Sequence, residues 1–179
     1  ASKQVTLPIG KRNPTRRVSP RWKKFDANIT SGGTVLNQDF KEFVQSLNEN
    51  KVRYLVIGGY AVAFHGHPRY TKDLDVWVES SPENAARVVK ALEQFGFASL
   101  GLKAEDFLAA DQIIQIGLPP SRIDILASVE GIEFESCYAS RVPAVIDGIR
   151  VNFIDLENLK KNKRAAGRAQ DLADLEKLE

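Results

Sequence analysis

The feature that most limits what this chain can fold into is a glycine pair followed, after a short spacer, by two aspartates one residue apart. The apolar run Tyr54-Leu55-Val56-Ile57 ends at Gly58-Gly59, and a second run opens as Asp73-Leu74-Asp75-Val76-Trp77-Val78. Side chains alternate faces along a strand, so Asp73 and Asp75 share one face while Leu74 and Val76 take the other. Like charges this close repel unless solvent or a cation separates them. An all-oxygen donor pair of this kind suits Mg²⁺ or Mn²⁺. Glycine has no Cβ, so the N–H groups of Gly58 and Gly59 can come close to a phosphate chain. One stretch therefore offers both a phosphate cradle and a metal platform.

Periodicity on either side of it predicts an α/β domain with a mixed sheet flanked by helices. Phe40, Phe43, Val44 and Leu47 mark one face of a helix over residues 37–50. Residues 52–57 read as a strand and 59–66 as a short helix. Ser81-Pro82-Glu83 is a helix start with a cap residue, a proline and an acid in the first turn, and Gly96 is its stop. Residues 104–110 read as a short helix and Ile113–Ile116 as a strand. In the strand Arg122–Leu126, Asp124 faces away from Ile123 and Ile125. Arg122 shares its face, where it can pair with Asp124 or with a phosphate. Asp147-Gly148 is a favoured hairpin turn within residues 142–153, and Asp155 caps the helix that follows. Leu172, Leu175 and Leu178 form the packing stripe of a last helix.

Composition narrows the function classes. Cys137 is the one cysteine, so an internal disulfide and a thiolate cluster are excluded, and a reducing cytoplasm is expected. His65 and His67 are the only histidines, too few for a multi-histidine zinc site, and they read as structural or exposed. No apolar run approaches the ~20 residues of a membrane span, and no secretory h-region opens the chain. Neither a Walker phosphate loop nor a nucleophile elbow is present.

Charge is distributed unevenly. Eight cations against Asp26 put the first 26 residues at +7, so the remainder carries −5 of the formal +2. Residues 1–35, with Pro8, Pro14 and Pro20 and no apolar period, read as a basic, extended or disordered arm; residues 36–179 read as the domain. The arm reads as a solvated tail, or as a segment drawn to RNA or DNA phosphates with Trp22 or Phe25 stacking on bases.

The string Gly58-Gly59-Tyr60-Ala61, then Arg69-Tyr70-Thr71-Lys72-Asp73-Leu74-Asp75-Val76, resembles the signature of the nucleotidyltransferase fold, the DNA polymerase beta superfamily. In particular it is similar to the small bacterial AbiEii-type toxin-like nucleotidyltransferases. That resemblance implies a nucleotidyltransferase fold and transfer of a nucleoside monophosphate from an NTP to a hydroxyl, with RNA such as tRNA as acceptor. It further implies Mg²⁺ or Mn²⁺ on Asp73, Asp75 and Asp124, with Asp124 helping to deprotonate the hydroxyl. Without the resemblance, Asp124 is equally an exposed strand acid. A toxin–antitoxin role and a cognate antitoxin are implied on the same ground.

Cations near these acids suggest nucleotide contacts. Arg69 and Lys72 could meet phosphates, and Thr71 could bond a nearby backbone or carboxylate. The tail Lys163 … Gly167-Arg168 … Asp171-Leu172 also looks like that family. Lys163 and Arg168 could reach the triphosphate with Asp171 orienting Arg168, or they could belong to a salt-bridged solvated face. Two other readings stand beside transfer to RNA: a non-catalytic nucleotide- or partner-binding protein that keeps the fold, and transfer to a small molecule or a protein side chain.

Overall fold

Short runs rich in β-branched and aromatic residues favour strands, and two of them make the centre of this molecule. In the computed structural model, which describes residues 4–6, 38–67, 70–118 and 121–179, they are β2 (Tyr54–Val56) and β3 (Asp73–Val78). Tyr54, Leu55, Val56, Leu74, Val76, Trp77 and Val78 are all buried. Around them lie β1 (Gln4–Thr6), α1 (Gln38–Glu49), α2 (Gly58–Phe64), α3 (Pro82–Leu92), β4 (Ile113–Leu118), β5 (Ser121–Leu126), α4 (Phe134–Ala139), β6 (Val142–Ile146), β7 (Ile149–Phe153), α5 (Leu156–Ala166) and α6 (Ala169–Leu178).

The strands form one mixed sheet in the order β1-β4-β5-β3-β2-β7-β6. β3 runs parallel to β5 and antiparallel to β2; β4 is antiparallel to β5; β6 and β7 form the expected hairpin. Its turn residues Asp147 and Gly148 both have positive φ, 49° and 81°, as a two-residue primed turn requires. Six of the strands belong to the body. The seventh, β1, comes from the basic arm and lies parallel along the outer edge of β4. The rest of the arm, Trp22 and Phe25 included, lies outside the described residues, as does Arg69.

α1 delivers Phe40, Phe43, Val44 and Leu47 to the core; full burial of such side chains stabilises by roughly 1.5–3 kcal/mol each. α3 starts as its sequence predicts, with the Ser81 hydroxyl accepting from Asn84 N–H at 3.2 Å. Asn84 itself is fully buried and ties this helix to the sheet: its amide donates to the carbonyls of Arg53 and Glu79 and accepts from Arg53 N–H. A single π-turn, Glu93–Phe97, follows, with Gly96 at φ 113°.

Two expectations are corrected, and one helix is new. The short helix begins at Gly58 rather than at residue 59. Leu172 is 47% exposed although Leu175 and Leu178 are buried; Asp174 takes the inward place on α6, against a lysine of α5. α4, too short to show an apolar period, was not anticipated.

Candidate active site

Register between two neighbouring strands assembles the site. β3 and β5 pair in parallel with Asp73 opposite Arg122 and Asp75 opposite Asp124. Period-two alternation then puts all four side chains on one face of the sheet. Gln115 of β4 pairs across from Asp124 and joins them from the third strand. The two i, i+2 patterns visible in the sequence are thus brought side by side by a pairing that neither could specify alone.

Arg122 occupies the middle of this group. Its Nε donates to Asp124 Oδ1 at 2.6 Å and its Nη2 to Asp124 Oδ2 at 2.9 Å, a bidentate fork. The same Nη2 reaches Asp73 Oδ2 at 3.0 Å. Gln115 Nε2 adds a bond to Asp124 Oδ2 at 3.3 Å. The Arg122 guanidinium is held in its charged form above all by the hydrogen bond to Asp124, against burial.

Asp75 sits deeper. Burial, then the neighbouring charges of Asp124 and Asp73, push its carboxyl up to about 7, while Lys163 and Arg122 pull the other way. Asp73 is raised for the same first reason, burial, with Arg122 opposing. Carboxyls raised in this way, by burial first and by neighbouring carboxylates after it, cluster at functional sites.

Gly58 fits against Asp75 so closely that only glycine serves. Ile57 N–H bonds the Asp75 carbonyl at 3.0 Å, which lays the end of β2 along β3. A Cβ at Gly58 would lie 2.0 Å from Asp75 Oδ2, and the residue has φ +63°. Gly59 is buried in the first turn of α2. Thr71 Oγ1 donates to the Asp73 carbonyl at 3.3 Å, the backbone bond its position suggested. Lys72 is exposed, with its ammonium 5.7 Å from the centre of the Tyr70 ring.

The C-terminal helices supply the remaining cations. Lys163 is 3% exposed, with Nζ donating to Asp174 Oδ2 at 2.7 Å and to Asp171 Oδ1 at 3.1 Å. Arg168 Nε donates to Asp171 Oδ2 at 2.8 Å, the i, i+3 pair read from the sequence, and 74% of its side chain is exposed. Both cations feel the Asp75 charge. Arg168 therefore presents its guanidinium outward over Asp171, whereas Lys163 is spent inside the α5–α6 junction. Asp174 escaped the sequence reading; its spacing of three from Asp171 was the available signal. His65 bonds the Ile154 carbonyl through Nε2 at 2.8 Å, a structural role.

The donor chemistry of Asp73, Asp75 and Asp124 fits a hard divalent cation. Their present arrangement does not: among the described residues no three such side chains are grouped to hold an ion, and Asp73 and Asp124 turn their oxygens to Arg122 instead. No helix among the described residues is long and apolar enough to cross a membrane.

This mixed sheet, with the glycine cradle at the end of β2 and acids on β3 and β5, is the nucleotidyltransferase fold. The chain belongs to the family described as Nucleotidyltransferase of unknown function (DUF6036), whose model matches residues 35–179. A presumed nucleotidyltransferase from Thermotoga maritima, TM1012, is similar in structure with a TM-score of 0.52 at 16% identity, over 77% of this chain and 88% of that one. The lincomycin-bound lincosamide antibiotic adenylyltransferase LnuA aligns at TM-score 0.48 and 14% identity, over 82% of this chain and 98% of its own. An antigenic nucleotidyltransferase-like protein from Paracoccidioides brasiliensis aligns at 0.47 and 16%, over 80% and 77%. No curated protein sequence matches the chain.

Proposed function

We propose that the protein transfers a nucleoside monophosphate from an NTP to a hydroxyl acceptor. One observation carries this reading: the register that sets Asp75 opposite Asp124, with Gly58 pressed on Asp75. In the reaction an acceptor oxygen attacks the α-phosphorus, the bond to the β-phosphate oxygen breaks, pyrophosphate leaves, and Asp124 takes the hydroxyl proton. Mg²⁺ or Mn²⁺ held by Asp73, Asp75 and Asp124 would supply charge neutralisation at the phosphates. Backbone N–H groups of Gly58 and Gly59 hold phosphate oxygens. Arg168, with 74% of its side chain exposed, offsets charge on the leaving group, as do Lys72 and Arg69, which precede Asp73 in the sequence. Thr71 steadies the Asp73 backbone. Lys163 acts from behind, holding Asp171, which holds Arg168.

RNA such as tRNA is the favoured acceptor, because the +7 of the first 26 residues gives an otherwise acidic chain a polyanion-binding segment. The AbiEii-type likeness adds a toxin role with a cognate antitoxin, in the cytoplasm. The test is incubation with Mg²⁺, each α-labelled NTP, total RNA and total protein, beside the Asp73→Asn/Asp75→Asn variant. Label in RNA with wild type alone is expected; label in protein or a small molecule would move the acceptor; none with any NTP would remove transfer. One observation favours a second reading, a nucleotide- or partner-binding protein without turnover: Arg122 already pairs with both Asp73 and Asp124.

A further inference from the structure

We infer that Tyr70 is the platform on which the terminal base of the acceptor strand stacks. The inference rests on the RNA-acceptor reading and names what holds the end of that strand. Among the described residues Tyr70 is the one aromatic side chain that presents a large exposed apolar surface, at 58%; the other two such residues, Val145 on β6 and Leu172 on α6, are aliphatic. Every nucleobase has a π face, and an exposed ring beside a cation holds single strands by stacking and charge together. The ring also has a defined seat. Burial first, and the Tyr70 phenol after it, push the Tyr60 phenol up to about 12, so Tyr70 lies beside Tyr60. Tyr60 is itself 9% exposed in α2 and packs edge-on against Phe40 of α1, with ring centres 5.6 Å apart. On the other side the next residue, Thr71, is tied to the Asp73 carbonyl at 3.3 Å.

Position along the chain says which base. Tyr70 precedes Asp73 by three residues, which reach at most about 11 Å even when fully extended. The reacting hydroxyl has to lie among Asp73, Asp75 and Asp124, so a base on this ring belongs to the last nucleotides of the strand. Lys72 occupies the ring before the strand arrives. Its ammonium stands 5.7 Å from the ring centre, within cation–π range. Such a contact at an exposed site is weaker than a base stacked on an aromatic ring, so a base displaces the ammonium. Lys72 is then released toward phosphate. Arrival of the acceptor and supply of charge to the leaving group are thereby coupled through one side chain. The stack reads a π face and no hydrogen-bond pattern, so the platform accepts any base.

The experiment titrates the full chain into a short single-stranded RNA carrying the fluorescent base 2-aminopurine at its 3′ end, and into the same strand labelled at its 5′ end. Stacking on an aromatic ring quenches this base, and filter binding on the same strands gives the affinity. Wild type and Tyr70→Phe are expected to quench the 3′ label well beyond the 5′ label. Tyr70→Leu, which keeps apolar bulk and loses the π face, is expected to lose that quenching and to bind the strand about tenfold more weakly. Because Tyr70 is exposed, both variants keep the fold. Quenching and affinity unchanged in Tyr70→Leu, with the strand still bound, would overturn the inference and leave RNA as the acceptor. Equal quenching at both ends would overturn it too, as would quenching confined to 2-aminopurine riboside triphosphate, which would give the ring to the incoming nucleotide. No binding of the strand by wild type would overturn the RNA-acceptor reading and this inference with it.

Discussion

Gly58 and Asp75 are coupled by contact, and each yields a prediction. Gly58→Ala adds a methyl 2.0 Å from Asp75 Oδ2 on a backbone with φ +63°. The left-handed conformation costs an L-residue ~1–2 kcal/mol and the overpacking ~1–3 kcal/mol. Urea unfolding should show a loss of about 2–5 kcal/mol; a variant as stable as wild type would mean that Asp75 moves aside and that the backbone leaves its left-handed conformation. Asp75 carries the pH dependence. Its carboxyl is pushed up to about 7 by burial and by Asp124 and Asp73, above the unfolded value of ~3.9. The folded state therefore binds this proton more tightly. The stability it contributes is complete below about pH 4 and is lost as pH rises through about 7. In metal-free buffer, Asp75→Asn should gain stability relative to wild type between pH 4 and pH 8. A difference that stays constant across that range would contradict the burial of this carboxylate. Asn nearly matches the volume of Asp, so the variant keeps the fold while losing metal-dependent transfer.

Among the elements, the α5–α6 corner shows how burial ranks ion pairs of similar length. Lys163 bonds Asp174 at 2.7 Å inside the corner, with the two side chains 3% and 0% exposed. Arg164 bonds Glu179 at 2.8 Å on the surface, with both more than half exposed. Removing one partner of a buried pair leaves a charge without compensation and costs ~3–5 kcal/mol, while an exposed pair contributes ~0–1 kcal/mol. Denaturation midpoints of Lys163→Ala and Arg164→Ala should differ accordingly, and equal midpoints would show that water reaches Lys163. The sequence displayed both lysine and acids but left Lys163 between a reach to the triphosphate and a salt-bridged solvated face, because helical spacing gives the face of a residue and not the helix packed against it. The caps were legible for the opposite reason. Ser81 and Asp155 bond N–H groups three residues away, so their whole interaction lies within one window.

For the whole molecule, the contrast between the basic first 26 residues and the acidic remainder sets how a polyanion would bind. Deleting residues 1–30 removes eight cations and should flatten the dependence of RNA affinity on salt, measured by filter binding across a salt series. An unchanged slope would exclude the arm from RNA contact. The deletion also removes β1 and opens the edge of β4.

What the sequence determined by itself is what short-range geometry settles. The shared face of Asp73 and Asp75, the shared face of Arg122 and Asp124, the glycine turn before α2, the hairpin and the caps all depend on residues a few positions apart. The tertiary structure alone decided which strand lies beside which. Parallel pairing of β3 with β5 joins segments separated by α3 and β4, and its register follows from packing apolar side chains on both faces of the sheet, which no local pattern encodes. From that register comes the placement of Arg122 between two carboxylates. From the docking of α6 on α5 comes the burial of Lys163, because the free energy of a charge depends on everything that excludes water around it.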